Sequence, residues 1–215
     1  MKVKSFIGGY DKNLSYLIWC PDTMFAALID PSVETNPIFE FIDNEQLILE
    51  KILITHSHRD HIQYLDDFIH KYPMMNVFCH NQPVNLSIPF CISLDHNEVI
   101  SIGKNLLTIL HTPGHFSDSI CIWNKESKML FTGDTIFIGR TGRVVSNTSS
   151  LEQLYDSVYN VILKLPHDTI IYPGHHYGFS RQAELDFNIK NSSFFQCNNL
   201  EEFRQVMANF ERKRK

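Results

Sequence analysis

A cluster of histidines and acids in one short segment is the part of the sequence best suited to chemistry. Residues 55–61, THSHRDH, place three histidines and one aspartate within six positions. Neutral imidazoles and carboxylates are common zinc ligands, at about 2.0–2.2 Å from the ion. Four such groups in one turn cannot all face a single ion. Some of them must therefore bind a second ion or hold the first ligands in place.

Three further polar residues follow apolar runs and stand directly after a glycine. They are His115, Asp134 and His175. Glycine at such a position lets the backbone turn sharply and come close to a ligand. Seven nitrogen and oxygen donors suit two borderline metal ions such as zinc, and the absence of cysteine among them argues against a closed thiolate site. The candidate ligands are His56, His58, Asp60, His61, His115, Asp134 and His175.

The sequence around these residues predicts that they lie at the ends of strands. The apolar run 52–54 indicates a buried strand, so the histidine cluster lies at its carboxyl end, where ligands usually bind in α/β folds. Apolar residues at helical spacing from Ile62 to Tyr72 predict a helix that begins near Asp60, with its positive end beside the site.

The rest of the chain reads as strands first, then alternating helices and strands, then helices. Strands are predicted over 14–19, 26–29, 77–79, 99–102, 106–110 and 169–172, with a hairpin over 119–131. Asp30-Pro31 closes the second strand, and 81–97 shows no pattern. Ser149 with Glu152 predicts a capping box before a helix, and a last helix begins at Asn199. This order predicts α/β layers with a mixed sheet.

Composition restricts the classes of partner and compartment. The chain has 215 residues and a net charge of −5, which gives no general reason to expect nucleic acid or an anionic membrane as partner. The sequence contains no run of about 18 apolar residues, so no transmembrane helix is predicted. The N-terminus lacks an apolar core long enough for a secretory signal. Five widely spaced cysteines without a Cys-x-x-Cys pair favour reduced thiols and a cytoplasmic location.

Taken in order, the motifs HxHxDH, GH, GD and PGH resemble those of the metallo-β-lactamase superfamily, over roughly residues 10 to 178. The resemblance implies an α/β (α+β) fold, an αββα sandwich of two mixed sheets with metals at one edge. It further implies that His56, His58 and His115 bind one metal, that Asp60, His61 and His175 bind the second, and that Asp134 bridges them. His61 stands where true β-lactamases usually carry a non-ligand residue or a different ligand, which counts against antibiotic hydrolysis.

Within the superfamily the chain looks most like the glyoxalase II (hydroxyacylglutathione hydrolase) group and the related persulfide dioxygenases. The resemblance lies in residues 111–115, 133–137 and 142–143, and in Tyr177 after His175. Since only about 38 residues follow Tyr177, the chain looks closer to the short, single-domain type than to members with a longer C-terminal helical domain. We therefore expect one domain over 1–215, with a core over about 1–178 and a short helical extension over about 179–215.

The resemblance implies hydrolysis of a thioester such as S-lactoylglutathione. Two metal ions, zinc with iron as the alternative in one or both sites, would hold a water and lower its pKa towards about 7. The metal-bound hydroxide would attack the acyl carbonyl, and Asp60 would orient it or accept its proton. Arg140 and Arg143 would pair with carboxylates of a peptide-like thiol, and Tyr177 would hydrogen-bond the substrate.

Other functions stay open at this point. The main alternative is an iron-dependent glutathione persulfide dioxygenase, with one iron held by the equivalents of His56, His115 and Asp134. A lactonase, a phosphodiesterase or a non-catalytic metal-binding protein is less favoured. The expected partner is a small thiol-derived substrate, without nucleic acid or membrane, and a homodimer is left open.

Overall fold

The architecture is built on two sheets of six strands each. The computed structural model describes residues 1–84 and 91–214. The first sheet has its strands in chain order: β1 (Lys2–Gly8), β2 (Asn13–Trp19), β3 (Phe25–Ile29), β4 (Ile48–Leu53), β5 (Asn76–His80) and β6 (Cys91–Leu94). The strands β1, β2 and β3 are antiparallel, whereas β3 to β6 run parallel. This sheet is therefore mixed.

The second sheet is also mixed, with one parallel pair. Its strands are β7 (Val99–Ile102), β8 (Asn105–His111), β9 (Ile120–Asn124), β10 (Met129–Gly133), β13 (Ile170–Pro173) and β14 (Ala183–Glu184), in the order β14-β13-β10-β9-β8-β7. Among the described strands of this sheet, only β10 and β13 pair in parallel. A separate hairpin of β11 (Ile136–Phe137) and β12 (Arg140–Thr141) follows β10.

Strand β2 shows how the sequence pattern forms the layers. Its side chains alternate between the two faces, as in any strand. Leu14, Tyr16 and Ile18 face the core between the sheets. Leu17 and Trp19 face the helices that cover the outside of the first sheet. Because both faces are covered, the whole strand is buried and reads as a continuous apolar run.

Helices cover the outer face of each sheet. The helices α1 (Asn36–Asn44) and α2 (Leu65–Lys71) pack on the first sheet through residues such as Ile38 and Phe68. The helices α3 (Leu151–Asp156), α4 (Leu185–Asn191) and α5 (Leu200–Arg212) pack on the second, through residues such as Leu154 and Phe203. The layers are therefore αββα, and the predicted fold class is confirmed.

Two predicted helix starts were wrong. Helix α2 begins at Leu65 rather than near Asp60, because 59–61 forms only a single 3₁₀ turn and the Tyr64 N–H donates to the carbonyl of Pro31. Ile62 directly follows that turn and packs on the same apolar cluster as α2. Its spacing from the apolar residues of α2 therefore resembled the spacing within a helix. Helix α3 is capped by Ser150, whose hydroxyl accepts from the Gln153 N–H, and not by Ser149.

The expectation that all five cysteines are reduced was also wrong. Cys79 and Cys91 form a disulfide between the neighbouring parallel strands β5 and β6. Cys91 lies opposite Val77, so it shares a face with Cys79, two residues further along. A sequence separation of 12 gave no hint of this pairing. Cys20, Cys121 and Cys197 are free and buried.

The part of the chain that the structure describes contains no helix that is both long and apolar enough to cross a membrane. The region 81–97, which showed no pattern in the sequence, contains β6, and its residues 85–90 lie outside the described residues.

The packing of α5 can be tested with one substitution. Phe203 is fully buried in the cluster beneath this helix. Phe203→Ala should lower the free energy of unfolding by about 3–5 kcal/mol, because it leaves a cavity that the surroundings fill only in part. Urea denaturation measures the loss. Phe179→Ala, at a side chain that is 72% exposed, is the control, with an expected change within about 0.5 kcal/mol. Equal losses in the two variants would contradict the packing described.

Candidate metal centre

The seven candidate ligands meet at one edge of the two sheets. The segment after β4 carries four of them, and the segments after β8, β10 and β13 carry one each. Backbone hydrogen bonds of 2.8 Å join these segments, from the Ile120 N–H to the Thr55 carbonyl and from the Gly174 N–H to the Gly133 carbonyl. The structure therefore brings together all seven side chains that the sequence singled out.

The first group of ligand atoms consists of three imidazole nitrogens. Nδ1 of His58 lies 2.9 Å from Nε2 of His56 and 3.1 Å from Nε2 of His115. The Nδ1–H of His115 donates to the Arg143 carbonyl at 2.8 Å. This bond fixes the tautomer and leaves the Nε2 lone pair of His115 free for a cation.

The second group consists of Asp60, His61 and His175. Nε2 of His175 lies 3.2 Å from Nε2 of His61 and 3.3 Å from Oδ2 of Asp60. The Nδ1–H of His175 donates to the carbonyl of Asp11 at 2.9 Å, so its Nε2 also faces inward. Asn13 donates to Asp60 Oδ2 at 2.9 Å and orients that carboxylate.

Asp134 lies between the two groups. Its Oδ1 is 3.3 Å from Nε2 of His61, and its Oδ2 is 3.6 Å from Nε2 of His115 and 3.3 Å from Nε2 of His175. Oδ1 is buried and accepts no hydrogen bond from any described residue. A buried carboxylate oxygen without a donor is costly unless a cation neutralises it.

This donor set fits a metal. Ligand atoms at about 2.0–2.2 Å from one ion are separated from one another by about 3–4 Å. The atoms of each group all lie within 4.8 Å of one another. Nitrogen and oxygen donors without thiolate match zinc, and they also suit iron. The protein is therefore built to hold metal at this edge.

The charges of the imidazoles differ between the two groups. Burial, with the nearby His115 and His61, lowers the pKa of His58 to about 4, so its ring is neutral at pH 7. Burial also lowers the pKa of His175, but the adjacent Asp134 and Asp60 outweigh it and raise that pKa to about 9. Neutral imidazole is the form that binds a metal, so a metal at the second group must displace a proton from His175.

Two glycines are required for these close approaches. Gly133 has a φ of +47°, and a Cβ at this position would lie 2.4 Å from Thr55 Oγ1. A Cβ on Gly174 would lie 2.4 Å from Asp134 Oδ1. Any other residue at either position would displace the strand ends that carry the ligands.

Sequence reasoning missed Asp30, which supports the ligands from behind. Its Oδ1 accepts from the Thr55 N–H at 2.8 Å, and its Oδ2 accepts from the Thr55 hydroxyl at 2.7 Å and from His61 Nδ1 at 2.8 Å. Asp30 follows a buried strand, as the other site acids do, and that signal could have found it. It has neither a neighbouring histidine nor a preceding glycine, and was therefore interpreted only as a strand end.

The three predicted substrate-binding residues line one cleft of about 540 Å³ that opens onto the ligands. The Arg143 guanidinium donates twice to Glu211 of α5, at 2.8 and 2.6 Å. The Tyr177 hydroxyl donates to Asp11 Oδ2 at 2.5 Å, and its ring stacks on His175. Arg140 packs against aromatic rings. Substrate contact by these three residues stays a prediction.

The role of Asp30 can be measured by metal affinity. Asp30→Asn keeps the shape of the side chain but removes the charge that orients His61. The apparent affinity for zinc should fall by about 10–100-fold, as is typical for loss of an outer-shell partner. Competition with a fluorescent chelator measures it. Asp22→Asn, at an exposed acid that pairs with Lys104, is the matched control and should leave the affinity unchanged. An unchanged affinity in Asp30→Asn would contradict this role.

Comparisons with known proteins agree with this site. The model of the metallo-beta-lactamase superfamily matches residues 92–175. The chain is 34% identical to a hydroxyacylglutathione hydrolase of Francisella tularensis subsp. novicida over 188 residues, which cover 87% of this chain and 71% of that protein. It is 29% identical to PksB of Bacillus subtilis, a probable polyketide biosynthesis zinc-dependent hydrolase, over 89% of this chain and 85% of that one.

Solved structures show the same fold. The crystal structure of ETHE1 from Myxococcus xanthus superimposes with a TM-score of 0.87 at 27% identity, and the match covers 98% of this chain and 91% of that one. Together with the ligand geometry, these matches confirm the resemblance predicted from the motifs. The chain belongs to the metallo-β-lactamase superfamily and, within it, is similar to the hydroxyacylglutathione hydrolases.

Proposed function

We propose that the protein is a metal-dependent hydrolase of thioesters, with a glutathione-type thioester such as S-lactoylglutathione as substrate. The observation that carries this proposal is the complete set of seven donors, in two groups with Asp134 between them, at the base of one cleft. The similarity to hydroxyacylglutathione hydrolases over most of the chain supports the choice of a thioester.

The two donor groups define where metal would be held. We propose two zinc ions, one at His56, His58 and His115, and one at Asp60, His61 and His175, with Asp134 shared. The similarity to PksB, described as a zinc-dependent hydrolase, supports zinc, and iron in one or both positions is the alternative. When bound, such a pair lowers the pKa of a coordinated water and polarises an acyl carbonyl.

The residues of the chain supply orientation around this centre. The Asp60 carboxylate faces the cleft, and the hydrogen bond from Asn13 fixes its position. It can orient an attacking water and hold its proton. A thiolate is a good leaving group at neutral pH, so the cleft needs no strong general acid opposite the metals. Tyr177 and Asp11 line one side of the cleft and are joined by a hydrogen bond. The Tyr177 ring stacks on the His175 ring and keeps it in place.

One specific observation supports a second candidate function. The family resemblance assigns the single iron of persulfide dioxygenases to the equivalents of His56, His115 and Asp134, and all three lie at this centre. The close match to the fold of ETHE1, over nearly the whole chain, fits this alternative. A protein with this second function would bind glutathione persulfide in the same cleft. Its Asp60 and His175 would then hold no metal.

Activity of the loaded protein tests the proposal. Zinc-loaded protein should hydrolyse S-lactoylglutathione, measured by the loss of thioester absorbance. Asp134→Asn should lower kcat/KM by more than about a hundredfold, because a shared ligand matters more than an outer-shell partner. His70→Ala, at an exposed histidine of α2, is the control and should retain activity.

Two outcomes would contradict thioester hydrolysis. One is the absence of turnover at millimolar S-lactoylglutathione by protein that has bound zinc. The other is oxygen uptake with glutathione persulfide by iron-loaded protein that has no thioesterase activity, which would favour the dioxygenase.

A further inference from the structure

Asp118 is a buried carboxylate near the metal centre that is not one of the seven ligands. It lies in the segment between β8 and β9, shortly after His115, and is 2% exposed. Its oxygens accept from backbone N–H groups, that of Ser57 at 3.2 and 3.4 Å and that of Val84 at 3.1 Å. Burying a carboxylate is costly, and these bonds compensate for it. Asp118 therefore joins three segments that are distant in the sequence.

The residue that Asp118 binds stands between two metal ligands. Ser57 separates His56 from His58 and is fully buried. Its hydroxyl accepts from the Val84 N–H at 3.2 Å. A bond to the Ser57 N–H fixes the peptide plane that joins His56 to Ser57, so it sets the direction in which the neighbouring side chains leave the backbone. Metal ligands must be held to within about 0.5 Å of their binding geometry, and Asp118 is placed to do this.

His58 is the ligand of its group that depends most on such support. The ring of His115 is held by its own bond to the Arg143 carbonyl. The polar contacts of His58 with described residues are all made by Nδ1, so none of those residues accepts from its Nε2. Its ring instead packs against the ring of Phe116, with the centroids 4.1 Å apart. Phe116 and Asp118 belong to one segment, which therefore holds His58 through its ring and through the backbone before it.

Asp30 provides an internal comparison. It accepts from the Thr55 N–H and also from the ring of His61, which is a ligand of the other group. Thr55 and Ser57 alternate with the ligands of the histidine segment, and the N–H of each is bound by a buried aspartate. Asp30 reaches the second group directly through His61. Asp118 contacts no ligand of that group, so its effect should be confined to the first group.

We propose that Asp118 is a positioning residue for the metal of the first donor group, His56, His58 and His115, and that it acts through Ser57. This rests on the two-metal centre proposed above and not on the reaction that the centre catalyses. Asp118 is not among the described residues that line the cleft, so its role is to hold ligands and not to contact substrate. Its removal leaves the buried Ser57 N–H without its acceptor and lets the ligands on either side shift.

Cobalt titration of one donor group at a time tests this role without turnover. His175→Ala removes a ligand of the second group and leaves the first group complete. In that background, Asp118→Ala should raise the dissociation constant for Co²⁺ by about 10–100-fold, measured by the visible absorption of the bound ion in competition with a chelator. His58→Ala removes a ligand of the first group instead. In that background, Asp118→Ala should leave the dissociation constant unchanged.

A conservative variant separates positioning from simple loss of structure. Asp118→Asn keeps an oxygen at the position of Oδ2, which accepts from both Ser57 and Val84. It should therefore recover most of the affinity that Asp118→Ala loses, together with the cobalt spectrum of the first group. Asp168→Ala, at an exposed acid that pairs with Lys128, is the control and should bind cobalt as the unmodified protein does.

Four outcomes would contradict the proposals in different ways. Unchanged cobalt affinity of the first group in Asp118→Ala would overturn the role of Asp118. Equal losses in the two backgrounds would indicate general loss of structure and would also overturn it. If His175→Ala that retains Asp118 binds no cobalt, the two-metal centre is wrong and this role falls with it. A loss confined to the first group, in protein that cleaves no thioester, would support the role of Asp118 and overturn the hydrolase.

Discussion

The position of Asp134 is the constraint on which the rest of the site depends. Its carboxylate lies within 3.6 Å of imidazole nitrogens of His61, His115 and His175. His61 follows a strand of the first sheet, whereas the other two histidines follow strands of the second. This one side chain therefore joins the edges of the two sheets. Its buried oxygen, which has no hydrogen-bond donor among the described residues, fits a cation bound at this junction.

So many polar side chains can be buried at this centre because hydrogen-bond acceptors around it bind the ring nitrogen that faces away from it in three of the histidines. His61 donates to Asp30, His115 to the carbonyl of Arg143, and His175 to the carbonyl of Asp11. Each of these bonds compensates for lost hydration and turns the remaining nitrogen towards the centre. Aromatic side chains of the two sheets pack against one another in the core beneath the site. The Tyr16 hydroxyl of the first sheet also donates to the Pro173 carbonyl of the second, at 2.7 Å. The same contacts that stabilise the sandwich therefore position the ligands.

The sequence predicted those parts of the site that have a local signature. His115, Asp134 and His175 each follow an apolar strand and a glycine, and the glycines are needed because a Cβ would clash with the opposite segment. Most strands were predicted for the same reason, since alternation and turn residues are local. The fold class and the superfamily followed from these motifs and were confirmed.

The remaining features depend on contacts between distant parts of the chain. Asn13 reaches Asp60 across 47 residues, and Arg143 reaches Glu211 across 68, so no spacing in the sequence reveals either pair. The start of α2 was misplaced because apolar spacing does not distinguish a turn from a helix when both pack on one cluster. The Cys79–Cys91 bond depends on which strands are neighbours, which a single sequence does not specify.

Metal analysis of protein purified without chelators tests the central claim most directly, because the number and type of ions distinguish the reactions that this donor set can support. Inductively coupled plasma mass spectrometry on the intact chain should find about two zinc equivalents per chain. In Asp134→Asn, both should be reduced, since that carboxylate lies beside His115 of the first donor group and His175 of the second. A single iron per chain, unaffected by substitution of His58 or Asp60, would contradict the two-metal hydrolase.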